Sequence, residues 1–255
     1  MKSSSLKCIS CNNNSIYFGS FAEKKSNKNK KYKLYKCLRC GLYFFDRFHL
    51  DENIYVDEKL STNKIKPRHL MIKGIISSKI KSGEILEIGA GDAHIINSLS
   101  ELRYSFTIID YQKPKKLPKN TNFIYSGINE IEANYFDKEK FNCIILDNVL
   151  EHLTDPMNTI NKISKWLSKK GILVIAVPNR WNLKHLLSFD LYAEFSHPSE
   201  HINIFTLKSL NRIMKDNKLK IDITPIIPKD SFTLANSPSL LGLPLFGIYG
   251  IYKKI

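Results

Sequence analysis

One run of residues, Glu84-Ile85-Leu86-Glu87-Ile88-Gly89-Ala90-Gly91-Asp92-Ala93, turns a short apolar strand into a bare-backbone corner. With no Cβ at Gly89 or Gly91, a ligand can come up against the main chain there. The next apolar run closes on an isolated acid, Asp110, and a later one closes on Asp147. In a parallel α/β sheet, a carboxylate at such a strand end can accept hydrogen bonds from ribose hydroxyls. Any one of these features has a plain rival: glycines after a strand can be only a tight turn, and a strand-end acid can be only a helix cap. Together on one sheet edge they describe a nucleoside site. A dinucleotide fold prefers Gly-x-Gly-x-x-Gly, and here His94 stands where the last glycine belongs.

A second chemistry lies near the start. Four of the 5 cysteines form two pairs, Cys8/Cys11 and Cys37/Cys40, each with two residues between. That spacing lets two turns converge four thiolates on one tetrahedral cation, and a closed four-sulfur site is structural zinc. Disulfides do not suit a reducing compartment, and a redox dithiol needs only one pair. A closed site leaves no coordination position for a substrate. The fifth, Cys143, sits in an apolar run and reads as core.

The elements that must carry these residues follow from periodicity. Ser15 to Phe21 and Lys31 to Leu38 read as ribbon strands, with the lysine-rich Lys24 to Lys31 as a loop between them. After a break at Pro67, Ile72, Ile75, Ile76 and Ile80 share a helical face. Strands are expected at Ile85 to Ile88, Phe106 to Ile109, Phe123 to Tyr125, Phe141 to Leu146 and Ile172 to Val177. Ile95, Ile96, Leu99 and Leu102 mark the helix after the glycine corner. Asp155-Pro156 starts another, carrying Ile160, Ile163 and Leu167 and ending at Lys169-Lys170-Gly171. Thr206 caps a helix with Leu207, Leu210, Ile213 and Met214 inward; Ile221 to Ile227 and Phe246 to Tyr252 supply the last strands. The expected architecture is α/β: a Rossmann-like, doubly wound, mostly parallel seven-stranded sheet with a small N-terminal zinc ribbon. The ribbon spans 1–48, a linker 49–66 and the main domain 67–255, with 179–205 as a lid over the acceptor side, since that connection is too long to be ordinary.

Composition narrows the field. The 43% hydrophobic content is that of a soluble domain with its own core. No secretory pattern precedes Cys8, and the apolar run Leu240 to Tyr252 is broken by Pro244 and glycines and is too short to span a bilayer; a cytoplasmic protein is expected. The net charge of +15 comes almost wholly from lysine, whereas bidentate phosphate recognition favours arginine. A solvated lysine surface explains it better than a nucleic-acid footprint, and an anionic substrate or an acidic surface would also suit it.

At these residues the chain resembles class I S-adenosylmethionine-dependent methyltransferases, from about Pro67 onward. Glu87-Ile88-Gly89-Ala90-Gly91 is similar to the family's first motif, with Ala93 in place of a frequent third glycine, and Asp147-Asn148-Val149-Leu150-Glu151-His152-Leu153 is similar to its fourth. His201 to Leu210 resembles a segment of a bacterial branch whose members often carry a cysteine-paired ribbon and act on sugars, surface-glycan precursors or secondary metabolites. The resemblance implies S-adenosylmethionine as cofactor. It places Gly89, Ala90 and Gly91 at the cofactor's methionine portion, Glu87 toward its ammonium and Asp110 on its ribose. Gly127 and Ile128 fall near the adenine, and Asp147 lies beside the reacting methyl.

For the acceptor, the stretch from Asn179 to Phe205 offers Trp181, His185, Phe189, Tyr192, Phe195, His197 and His201. His201 is the first candidate for a base, followed by His152 and His197, because imidazole exchanges protons near neutral pH. The expected partner is a small-molecule acceptor. RNA, gripped by the ribbon and its lysines, is a less favoured alternative, since Asp147-Asn148-Val149-Leu150 lacks the Pro-Pro-aromatic sequence of common base-amino methylases. A non-catalytic binding module with the same fold is the third.

Overall fold

The aromatic-rich Ser15–Ala22 (β1) and Lys31–Cys37 (β2), in which lysines alternate with tyrosines and a leucine, pair antiparallel, with Ser15 opposite Cys37 and Ala22 opposite Lys31. Tyr43–Phe45 (β3) adds to β2. The computed structural model describes residues 6–22, 31–46, 65–100, 103–178, 195, 197–222 and 247–255.

The main domain follows the alternation of its apolar runs. Pro67–Lys79 (α1) leads into Gly83–Ile88 (β4), and the glycine corner opens His94–Leu99 (α2). Next come Tyr104–Asp110 (β5), Thr121–Tyr125 (β6) and Phe141–Asp147 (β7). A 3-10 turn at Ile128–Glu130 lies between β6 and β7, and another at Leu150–His152 precedes Pro156–Trp166 (α3) and Leu167–Pro178 (β8). Asn203–Ile204 (β9), Leu207–Asp216 (α4), Leu219–Ile221 (β10) and Gly247–Lys254 (β11) complete the order. The seven-stranded sheet runs β10-β11-β8-β7-β4-β5-β6. From β8 to β6 the neighbours are parallel; β10 and β11 form an antiparallel edge. The expected fold is the observed one.

Strand side chains alternate between two buried faces. Leu86, Ile144, Leu146 and Ile175 face a core shared with Ile160, Ile163 and Trp166 of α3 and Leu210 and Ile213 of α4. Ile85, Cys143, Ile145 and Val174 face α1 and α2, so Cys143 is a core residue as read. The ribbon has no core of its own on its inner side: Cys8, Cys37, Cys40, Leu42 and Phe44 join the α3/α4 core, which fixes it to the sheet domain.

Helix caps came out as local chemistry dictates: Asp155 accepts from Asn158 N at 3.0 Å and Thr206 from Ser209 N at 3.2 Å. Two boundaries did not. The helix expected to run to Lys169 stops at Trp166, because Leu167 turns extended and pairs with Phe141 at the start of β7. A buried ladder position there outweighs helical propensity. The strand expected at Ile221 to Ile227 is Leu219–Ile221, paired with β11; residues 223–227 lie outside the described residues. Leu102 also lies outside them.

Candidate functional site

At the carboxyl edge of the sheet a pocket is lined by Glu87, Gly89, Ala90, Gly91 and Asp147, as the motifs anticipate. Both glycines have left-handed backbones, φ +66° and +53°, which strain any residue with a Cβ. Their surroundings differ. A Cβ at Gly89 would lie 2.6 Å from Val149 Cγ2, so β4 packs tightly against the turn after β7. A Cβ at Gly91 would meet nothing within 4 Å, so the cradle there is open. Ala93, in the glycine-favoured position, also has a left-handed backbone, φ 53°.

Asp110 is tied to this corner. Its Oδ2 accepts from Gly91 N and its Oδ1 from Gln112 N, both at 2.9 Å. Each oxygen keeps a lone pair, enough for two hydroxyls. Gly127 and Ile128 stand on the far side of Asp110: Ser126 N donates to the Asp110 carbonyl at 3.2 Å. Neither lines the pocket. The Tyr111 side chain covers Gly127, and the Ile128 carbonyl accepts from the buried Lys162 ammonium at 2.5 Å.

Two carboxylates give the pocket its field. Glu87 is 3% exposed and its Oε2 has no hydrogen-bond partner among the described residues. Burial, reinforced by the charges of Asp147 and Asp110, pushes its pKa well above the ordinary range. Burial pushes Asp147 the same way, but the hydrogen bond from His69 and the charge of Arg68 outweigh it and hold the group low. Arg68 Nε lies 2.8 Å and His69 Nε2 3.5 Å from Asp147 Oδ2, while Oδ1 has no partner among the described residues. Lys66, Arg68 and His69, from the start of α1, also line the pocket and are absent from the sequence reading. Among 39 Lys and Arg, nothing in their spacing sets them apart.

The three candidate histidines form a separate group. The His152 and His201 rings are 5.0 Å apart and the His197 and His201 rings 6.3 Å apart. His152 Nδ1 lies 2.6 Å from the Glu200 carbonyl, so Nδ1 carries the proton and Nε2 keeps its lone pair when the ring is neutral. Burial lowers the His152 pKa and favours that neutral form. Ligand atoms of the buried Glu151 and the half-buried His152 and His201 lie within 4.8 Å of one another, a spacing able to relay a proton or hold a divalent cation. None of the three histidines lines the glycine pocket. Of the expected aromatic wall, Trp181, His185, Phe189 and Tyr192 lie outside the described residues. Phe195 is no acceptor wall: it is fully buried among ribbon aromatics, its ring 4.9 Å from Phe21 and 5.7 Å from Tyr43.

The four ribbon cysteines also converge. Sγ–Sγ distances are 3.7 Å for Cys8–Cys40 and 3.5 Å for Cys11–Cys37, and all four sulfurs lie within 4.8 Å of one another. A tetrahedral zinc with bonds of about 2.3 Å needs edges of about 3.8 Å, so the donor set fits. Ser10 N points at Cys8 Sγ and Cys40 N at Cys37 Sγ, each at 3.4 Å, as amides that screen thiolates do.

A family profile described as a methyltransferase domain matches residues 65–222. No curated protein matches the chain. Solved structures share its fold at low identity. Plantazolicin methyltransferase BpumL, in complex with a monoazolic desmethylPZN analog and S-adenosylhomocysteine, has a TM-score of 0.53 and 16% identity over 74% of this chain and 82% of its own. The Burkholderia thailandensis 1,6-didemethyltoxoflavin-N1-methyltransferase gives 0.50 and 12%, over 74% and 79%. A SAM-dependent methyltransferase from Methanosarcina mazei gives 0.50 and 17%, over 71% and 97%.

Proposed function

The chain belongs to the methyltransferase-domain family of class I S-adenosylmethionine-dependent enzymes, and from that premise we propose that it methylates a small acceptor, a sugar or nucleotide sugar of surface-glycan or secondary-metabolite synthesis. The carrying observation is the meeting of a buried Glu87 oxygen without a partner, an open Gly91 cradle and the Asp110 carboxylate at one edge. Those acceptors and the open cradle fit an ammonium, a ribose diol and a close-lying ligand chain. When bound there, S-adenosylmethionine supplies an electrophilic methyl on a sulfonium. Glu87 neutralises the cofactor's ammonium, and Lys66 and Arg68 bring positive charge for its carboxylate. Asp110 holds the ribose; Gly127, with Tyr111 across it, and Ile128 bound the adenine. Asp147, fixed by Arg68 and His69, orients the methionine end.

Methyl transfer needs mainly in-line approach and desolvation, so positioning carries most of the rate. His201 takes the acceptor's proton, with His152 and His197 behind it. Cys8, Cys11, Cys37 and Cys40 hold a structural zinc, and the cytoplasm keeps those thiols reduced. The S-adenosylhomocysteine bound in two structural neighbours is the demethylated form of the cofactor these residues fit.

RNA is the second reading, favoured by Ile16, Tyr17 and Phe18, exposed on the ribbon of a chain with net charge +15. Calorimetry with S-adenosylhomocysteine, then product mass spectrometry over nucleotide sugars, small metabolites and RNA, separates the readings. A methylated nucleotide sugar supports the first, and methylated RNA with salt-dependent binding replaces it. Failure to bind the cofactor leaves only a non-catalytic module.

A further inference from the structure

The ribbon and the histidine group are joined through one buried amide. β9, the two-residue strand Asn203–Ile204, pairs antiparallel with β3, with Ile204 opposite Tyr43 and Asn203 opposite Phe44, and makes the ribbon a four-stranded sheet. Phe45 N donates to the Ile202 carbonyl at 3.0 Å. On the ribbon's outer face Phe195 is fully buried among Tyr32, Tyr43 and Phe45. Gly41, beside Cys40, packs near the hydroxyl of Thr206. The chain that presents His197 and His201 is therefore anchored to the ribbon at both ends.

Asn203 reaches the other way. It is 1% exposed, and its Nδ2 donates to the Leu153 carbonyl at 2.7 Å and lies 3.4 Å from those of Leu150 and Glu151. These three carbonyls belong to the 3-10 turn carrying Glu151 and His152 and to Leu153, the residue that caps it. A neutral amide has two N–H groups for such a cluster, whereas a carboxylate would set charge against carbonyl dipoles. Two residues earlier is His201, and at Glu200 the carbonyl fixes the His152 tautomer. One short strand thus touches the ribbon with its backbone and the His152 turn with its side chain.

We propose that Asn203 is a positioning residue through which the four-sulfur ribbon sets the geometry of the His152–His201 pair. Occupancy of the ribbon by its metal then governs the acceptor side of the sheet edge and leaves the cofactor pocket alone. The functional weight of this coupling rests on the reading of the histidines as acceptor-side groups; the coupling itself is measurable without an acceptor.

The test uses the full-length, zinc-loaded protein, uniformly ¹⁵N-labelled. Long-range ¹H–¹⁵N imidazole spectra at fixed pH read the tautomer and environment of His152 and His201, and calorimetry with S-adenosylhomocysteine reads the cofactor pocket. Asn203→Ala, with zinc retained, is expected to collapse the split Nδ1–H/Nε2 pattern of His152 toward tautomer averaging. Cofactor affinity should stay within about twofold, well under 1 kcal/mol. Stripping zinc from the wild type with a chelator should reproduce the collapse, and re-adding zinc should restore it in the wild type but not in Asn203→Ala. Unmoved imidazole signals on either treatment overturn the proposal. So does a parallel loss of cofactor affinity beyond about tenfold, which would mark general unfolding. A separate outcome addresses the underlying reading: were His152→Ala and His201→Ala to methylate the acceptor at wild-type rates, the histidines' role would fall while the measured coupling stood.

Discussion

The two halves of the sheet's carboxyl edge are built by different means. The half proposed to hold the cofactor is built on the corner Glu87 to Gly91, joined by Asp110 nineteen residues on through its bond to Gly91 N, with Asp147 and the start of α1 closing the pocket from within the sheet domain. Its shape is a property of backbone: left-handed glycines, a strand end and the turn that follows. The histidine half joins His152 to a carbonyl 48 residues away and rests on a ribbon strand earlier than either. Its shape is a property of tertiary packing. No residue lining the first half belongs to the ribbon, whereas the second is held by a strand paired with it. The two halves should therefore fail separately.

The hardest blow to that comparison falls on the ribbon. Site formation in small zinc domains is worth roughly 10 kcal/mol or more of apparent free energy. Cys37→Ser should lose the bound zinc by metal analysis and melt the ribbon, while cofactor binding by the sheet domain persists; full zinc occupancy in the variant would refute the four-sulfur site. The reciprocal blow falls on Asp110. Hydrogen bonds to a charged acceptor are worth about 1.5–3 kcal/mol each, so Asp110→Ala should weaken cofactor affinity at least about tenfold by calorimetry. The imidazole spectra should not move. Confined to the other half is His201→Ala, which removes a base worth about a hundredfold in rate with cofactor affinity unchanged, read by single-turnover transfer to the acceptor found by mass spectrometry.

The same contrast decides what the sequence discloses. Gly89, Gly91, Asp110, Asp155 and Thr206 act within a few residues of themselves, at strand ends and caps, so type and spacing reveal them. The mostly parallel sheet is legible because its central strands β4, β5, β7 and β8 are apolar toward both faces, while the edge strands β6 and β10 are short and largely uncovered. Asn203–Ile204 is hidden, because two residues show no period and the pairing partner is far off in sequence. Phe195 looks like part of an aromatic wall until the ribbon is seen to bury it. Arg68 and His69 reach Asp147 only because α1 lays its first turn across the strand ends. Trp166 ends its helix where a ladder position, not a cap, takes over.

The finest division lies inside the cofactor half, between two buried carboxylates with opposite shifts. Glu87 has a folded-state pKa raised above its ordinary 4.5 by burial, so its contribution to stability is complete below that value and declines as pH rises toward the folded pKa. Asp147, held below its ordinary 3.8, contributes fully above that value and loses the contribution as pH falls through the folded pKa. Glu87→Gln should abolish the first decline and spare the second. Free of ligand, the variant should therefore gain on the order of 1 kcal/mol over the wild type at neutral pH, measured by thermal melts across the pH range. Cofactor binding should move the other way. An ammonium beside Glu87 favours the anion, so wild-type binding should release protons, seen as an enthalpy that changes with the buffer's ionisation heat. Glu87→Gln should bind several-fold more weakly and release none. Equal proton release by both proteins would remove Glu87 from the ammonium and leave Asp147 as the group that holds it.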